Sequence, residues 1–175
     1  VGLESSQTHP GFRRPGGGLV RHRRGMWEAI AHFTEEQLGA ADRTYRRWAR
    51  ARLKSGALVG FILETQAGKA LASGCLWLMP VQPRPMWGRL AAPYLMSMYT
   101  EPEARGRGYG TRIVREAVRW ARARGYDMVL LHASDYGRPI YERSGFGRTR
   151  EMRLVLTKRG TAVRWKPRRK QASRA

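Results

Sequence analysis

The sequence predicts an α/β sandwich built around one mixed sheet. Three features carry this reading: helical apolar spacing across residues 19–50, an apolar hairpin across 57–79, and a strand–helix rhythm from 94 to 157. With 175 residues and 42% apolar content, the chain has the size and core of one ordinary domain. Residues 1–18, rich in Gly, Pro and Ser, read as a flexible leader. Residues 19–157 read as the folded domain, and 158–175 as a basic, disordered tail. The chain begins with Val1 rather than Met, which suggests a fragment or a processed start.

Each element has a local cause. Leu19–Phe33 fits an amphipathic helix with Val20, Met26, Trp27 and Ile30 on its apolar side. Thr34-Glu35-Glu36-Gln37 matches a capping box and opens a second helix, whose inner face uses Leu38, Ala41, Tyr45, Trp48 and Ala49. Arg43, Arg46, Arg47 and Arg50 fall largely on the other side, which reads as a solvated face. Ala57–Glu64 and Ala70–Met79 pair across the turn Thr65-Gln66-Ala67-Gly68. Cys75 lies inside that hairpin and reads as an inert buried thiol. Pro80, Pro83, Pro85 and Pro93 punctuate a long connection that suits a lid or binding loop. Then follow a strand (Tyr94–Thr100), a helix (Gly110–Arg124) closed by Gly125, and a strand (Tyr126–Ala133). A short helix (Gly137–Arg143) and a closing strand (Thr149–Thr157) complete the order.

Charge narrows the function classes. The net charge is +21, and residues 158–175 hold eight cations and no acid. Such a surface attracts a polyanion or a phosphorylated ligand. Arg outnumbers Lys 29 to 5, a bias that a GC-rich genome also produces. No apolar run approaches the roughly 20 residues of a bilayer-spanning helix, so no membrane partner is expected. One cysteine excludes a disulfide framework and a structural cysteine–zinc site, and together with the lack of a signal peptide suggests the cytoplasm.

The informative segment is Arg105-Gly106-Arg107-Gly108-Tyr109-Gly110-Thr111, directly after a strand and before a helix. Alternate glycines let backbone amides approach an anion, and the helix start adds unpaired N–H groups. The segment is neither a Walker A loop nor the dinucleotide fingerprint, because it lacks Gly-Lys-Ser/Thr and has Thr111 where the last glycine would stand.

Arg-x-x-Gly-x-Gly resembles the acyl-CoA pyrophosphate loop of the GNAT acetyltransferase superfamily. Residues 126–146 extend the resemblance. The strand Met128–Ala133 is followed by Ser134, where the family has Asn, and seven residues later by Tyr141-Glu142-Arg143-Ser144-Gly145-Phe146, with Gly137 where the family has Ala. The likeness is closest to bacterial members. It covers 19–156 and is closest over 94–156; the family's first strand is not evident. It implies a mixed, mostly antiparallel central sheet flanked by helices, with the fourth and fifth strands splayed to hold acyl-CoA. It further implies main-chain contacts to the pantetheine from Met98, Tyr99 and Thr100. The resemblance assigns amides from Arg105, Gly106, Arg107, Gly108, Tyr109, Gly110 and Thr111 to the pyrophosphate, and a contact from Ser134 to the pantetheine arm. Tyr141 would be the acid that protonates the departing thiolate, and Gly145 and Phe146 would serve turn and packing.

The implied activity is transfer of acetyl from acetyl-CoA to a primary amine of a small molecule or peptide, with no metal. For the base, Glu28, Glu64, Glu101, His132 and a water chain all stand as candidates. The competing expectation is a nucleic-acid- or ribosome-associated basic domain without catalysis, or an enzyme whose tail binds polyanions weakly. Homodimerisation is compatible with either.

Overall fold

The computed structural model describes residues 8–10, 17–65, 67–83, 85, 88–152 and 154. Its elements run β1 (Thr8–Pro10), α1 (Gly17–Ile30), α2 (Glu35–Ser55), β2 (Leu58–Glu64), β3 (Ala70–Pro80) and β4 (Ala91–Thr100). A single 3-10 turn (Pro102–Ala104) then leads to α3 (Tyr109–Ala123), β5 (Leu130–Leu131) and α4 (Arg138–Arg143).

The capping box forms as its residues dictate. Gln37 N–H donates to Thr34 Oγ1 at 3.2 Å, and Thr34 N–H donates to Gln37 Oε1 at 2.9 Å. It opens α2 at Glu35, and α1 ends at Ile30, three residues short of the Phe33 expected. At the other end of the fold, Gly125 takes φ +68° and closes α3. Its N–H bonds Arg122 O at 3.0 Å and Tyr126 N–H bonds Ala121 O at 3.1 Å, the paired geometry of a left-handed helix stop.

The five strands lie in chain order, antiparallel except for the parallel pair β4–β5. Alternation along the strands feeds two cores. Phe61, Leu63, Leu76 and Leu95 pack with Ile113, Val114, Ala117 and Ala121 of α3. Leu58 and Cys75 pack on the other face with Leu19 of α1 and with Tyr45 and Ala49 of α2. Cys75 is fully buried, and burial pushes its thiol up to about 11, which makes it inert.

Four expectations need correction. Within the segment read as a flexible leader, β1 pairs with Leu63–Phe61 of β2, and α1 already begins at Gly17. Edge pairing satisfies the main chain whatever the side chains, so three residues leave no alternation to read. This short strand also precedes the first helix, where the resemblance lacked one. Pro80 and Pro93 belong to strands: β2 ends its pairing at Trp77, and β5 pairs only with Tyr94 and Leu95. Each proline therefore sits where one side of its strand has no partner, and the connection shrinks to residues 81–90. The strand expected over Tyr126–Ala133 narrows to Leu130–Leu131. Residues 149–152 and 154 form no strand, while 153, 155–157 and the tail 158–175 lie outside the described residues.

Candidate functional site

The site grows from an irregularity in β4. Ser73 pairs with Tyr99 and Cys75 with Met96, so Ser97 and Met98 together oppose the single residue Gly74. This is a β-bulge, and Ser97 takes φ +55° to make it. Gly74 is required opposite: a Cβ there would run into Met98 Sδ and would lie 2.9 Å from Ile113 Cγ2. Past the bulge, β4 has no β5 residue beside it, because their pairing ends at Leu95 with Leu131. Met98, Tyr99 and Thr100 thus present one main-chain edge with no strand across from it, as an added-strand ligand would need.

That edge runs directly into the glycine loop. Arg105 is anchored, its backbone N–H bonding Pro102 O at 3.3 Å and its Nε donating to Thr100 O at 3.1 Å. Gly106 (φ +77°) and Gly108 (φ +76°) are both left-handed, and Gly108 caps α3. A Cβ on either would meet nothing within 4 Å, so conformation, not crowding, demands glycine there. Gly110 is the reverse case: its Cβ would lie 3.4 Å from Ile140 Cδ1 and 3.7 Å from Thr100 Oγ1. The first α3 bond runs from Arg112 N–H to Gly108 O at 3.1 Å, which leaves the amides of Tyr109, Gly110 and Thr111 at the helix start. The side chains of Arg105 and Arg107 are exposed beside them.

Tyr141 of α4 is half-buried against Phe146, with ring centroids 6.0 Å apart. Burial, and secondarily the neighbouring Tyr94, push its phenol up to about 12, so it is a neutral hydroxyl donor at physiological pH. Gly137 lies one turn before it; a Cβ at 137 would sit 3.1 Å from the Tyr141 ring. Ser134, expected to contact the cofactor, is committed locally as well: its Oγ accepts from Gly137 N–H at 3.2 Å, and its carbonyl accepts from Arg138 N–H at 2.9 Å. Tyr94, beside Tyr141, joins its hydroxyl to His132 Nδ1, and His132 Nε2 meets the Glu151 carboxylate.

The other base candidates scatter. Glu28 is exposed on α1 and paired to Arg24 at 3.0 Å. Glu64 ends β2, two strands away from β4. Glu101 is buried and enclosed: Arg21 pairs with its Oε1, His22 Nε2 lies 3.1 Å from the same oxygen, and Tyr99 OH lies 3.5 Å from Oε2. On its far side His22 Nδ1 meets Ser73 Oγ at 2.9 Å. Serine, histidine and carboxylate in a row suggest a nucleophilic relay, but Ser73 and His22 are each 1% exposed and no acyl group reaches them. The row is a pin that fastens α1 to β3 and to the end of β4. Burial, then the Arg21 charge, lowers the His22 pKa and keeps the ring neutral.

Sequence reasoning missed the bulge and the pin. The signals were a lone histidine three positions after Leu19 on an apolar helix face, and a glycine inside a strand. Among the described residues no group of three or more His, Cys, Asp or Glu is placed to hold a metal ion. Nor is any described helix long and apolar enough to cross a membrane.

Comparison with known proteins gives the family and the fold. The model of the acetyltransferase (GNAT) family matches residues 20–146. A glucosamine 6-phosphate N-acetyltransferase of Trypanosoma brucei brucei is 28% identical over 131 residues, covering 74% of this chain and 86% of its own. Among solved structures, a GCN5-related N-acetyltransferase from Ralstonia eutropha is 29% identical with a TM-score of 0.70, covering 79% of this chain and 90% of its own. A predicted acetyltransferase from Clostridium acetobutylicum, solved with acetyl-CoA, is 25% identical with a TM-score of 0.75, covering 86% of this chain and 96% of its own.

Proposed function

The chain belongs to the acetyltransferase (GNAT) family and is an N-acetyltransferase rather than a binding domain without catalysis, and from that premise we propose that it transfers acetyl from acetyl-CoA to a primary amine by direct attack on the thioester. The observation that carries this reading is the unpaired edge of β4 leading straight into a loop of left-handed glycines at a helix start. The fit is one of shape and charge: a main-chain edge with no strand beside it for the pantetheine amides, open backbone at Gly106 and Gly108, and cationic Arg105 and Arg107 for the pyrophosphate.

Bound acetyl-CoA supplies an activated acetyl group and a sulfur leaving group. The chain supplies orientation and a proton. Met98, Tyr99 and Thr100 hold the pantetheine by their main chain, and Arg105 to Thr111 hold the diphosphate by amides and charge. Tyr141 offers its hydroxyl to the departing sulfur. A phenol held near 12 is a weaker acid than an ordinary tyrosine, so it acts first as a hydrogen-bond donor to the nascent thiolate and yields its proton as charge builds there. An alkylamine has a pKa of about 10.4 and must shed a proton before attack. The Tyr94–His132–Glu151 chain next to Tyr141 is the best placed of the base candidates to receive it.

The acceptor is a small-molecule or peptide amine, and glucosamine 6-phosphate, named for the Trypanosoma relative, heads the panel to test. Calorimetric titration should show acetyl-CoA binding, and thiol release over an amine panel should identify the acceptor. Tyr141→Phe should then lower kcat by about 10²–10⁴ with acetyl-CoA affinity retained. A kcat within twofold of the parent chain would make Tyr141 a wall of the site and not its acid.

A further inference from the structure

We propose that the outward face of α2 is a docking surface for nucleic acid, gripped through its phosphate backbone without regard to base sequence. The proposal is independent of the acetyl-transfer reading. Residues 43–54 hold six cations and no acid. Five of them, Arg43, Arg46, Arg47, Arg50 and Lys54, fall within an arc of about 100° on a helix of 3.6 residues per turn. The opposite side of α2 carries its buried residues Leu38, Tyr45 and Ala49, so the arc points outward, and all five side chains are exposed. Four of them, with Ala51, line an open groove of about 310 Å³.

What separates this row from the neighbouring helix is the lack of internal neutralisation. On α1, Arg21 pairs with Glu101, and Arg24 pairs with Glu28, Glu35 and Asp42. Among the described residues none of the five α2 cations forms an ion pair. Like charges three and four positions apart on a helix repel and weaken it. Here the pairs 43/46, 43/47, 46/50, 47/50 and 50/54 all do so at once. The helix tolerates them because its capping box and its buried face hold it, and an external polyanion would remove the repulsion.

The spacing also fits. From residue 43 to 54 the axis rises about 16 Å. One strand of a duplex presents a phosphate about every 3.4 Å of axis, or about five over that length, against five cations. Four of the five are arginines, whose planar fork suits phosphate oxygens. Contacts that rest on charge against phosphate oxygens carry no base information, hence the indifference to sequence.

The test is fluorescence anisotropy of the full chain with a labelled 20-base-pair duplex, titrated from about 50 to 200 mM salt. The triple variant Arg46→Glu, Arg47→Glu, Arg50→Glu should reduce the slope of log affinity against log salt by about 2.7, and should weaken binding at 50 mM salt by roughly 100- to 1,000-fold. Arg46→Lys, Arg47→Lys, Arg50→Lys should keep the slope, since charge is what counts. Both variants should retain the parent's helical circular dichroism and its acetyl-CoA affinity, and a triple Gln variant serves if charge reversal disturbs the fold. Three results would overturn the proposal: no salt-dependent duplex binding by the parent chain, an unchanged slope in the folded Glu or Gln variant, or α2-dependent binding to phosphatidylserine vesicles with none to the duplex.

Discussion

The two halves of β4 border regions that treat polar groups in opposite ways. Where α1 crosses the sheet, every polar member of the pin is occupied: Ser73 by His22, His22 by Ser73 and Glu101, Glu101 by Arg21, His22 and Tyr99. At the edge that runs into the glycine loop, main-chain groups lie beside no strand, and the helix start keeps its first amides uncommitted. The first arrangement spends its hydrogen bonds on stability, and the second reserves them for a ligand. Both sit within a few residues of Glu101, so the rigid one holds the receptive one in place.

Three substitutions or conditions sharpen this contrast, in falling order of effect. His22→Ala removes the bond to Ser73 and a neutral hydrogen-bond partner of the buried Glu101, so denaturant unfolding should show a loss of about 3 kcal/mol. Acetyl-CoA affinity of the folded fraction should change little, and an equal loss in both would show that the two regions are one unit. Gly108→Ala forces a side chain into φ +76°, a penalty of about 1–2 kcal/mol. Calorimetry should find acetyl-CoA binding weakened about tenfold or more while unfolding shifts only by that strain. The smallest effect is the pH response of the pin. The folded His22 pKa lies below the ordinary value, so the unfolded chain binds the extra proton first. Stability should be complete above about pH 6.5 and decline as pH falls below it. In His22→Ala that decline should flatten.

Much of this was legible in the sequence. Caps and period gave the start of α2 and both ends of α3 within a residue or two, since Thr34, Gln37 and Gly125 act through bonds to their near neighbours, while α2 runs on to Ser55, five residues past the last position read for it. The loop Arg105–Thr111 was legible for the same reason: Gly106 and Gly108 answer to a local φ. Features set by distant partners were not. The pin joins residues 22, 73 and 101, and no local spacing announces that Ser73 awaits a histidine 51 positions away. β1 is only a backbone partner of Leu63–Phe61, and the role of Gly74 depends on Met98 across the sheet. Ser134 was matched by position to a cofactor contact, yet its hydroxyl first serves the turn into α4.

The extra residue in β4 also resets the parity of the strand. Before the bulge, odd-numbered Leu95 points to the α3 core and even-numbered Met96 to the α1–α2 side. After it, even-numbered Met98 packs in the α3 core and odd-numbered Tyr99 lies against His22 of α1. One strand thereby carries two reading frames, joined at Ser97. Deleting Ser97 would leave Met98 alone opposite Gly74 and every later side chain on its present face, whereas straightening the strand with Ser97 kept would turn Tyr99 and Glu101 into an apolar core and Met98 and Thr100 toward the α1 side. The bulge thus acts like a frameshift suppressor in three dimensions: it absorbs one surplus residue and keeps the pin and the core on their own sides.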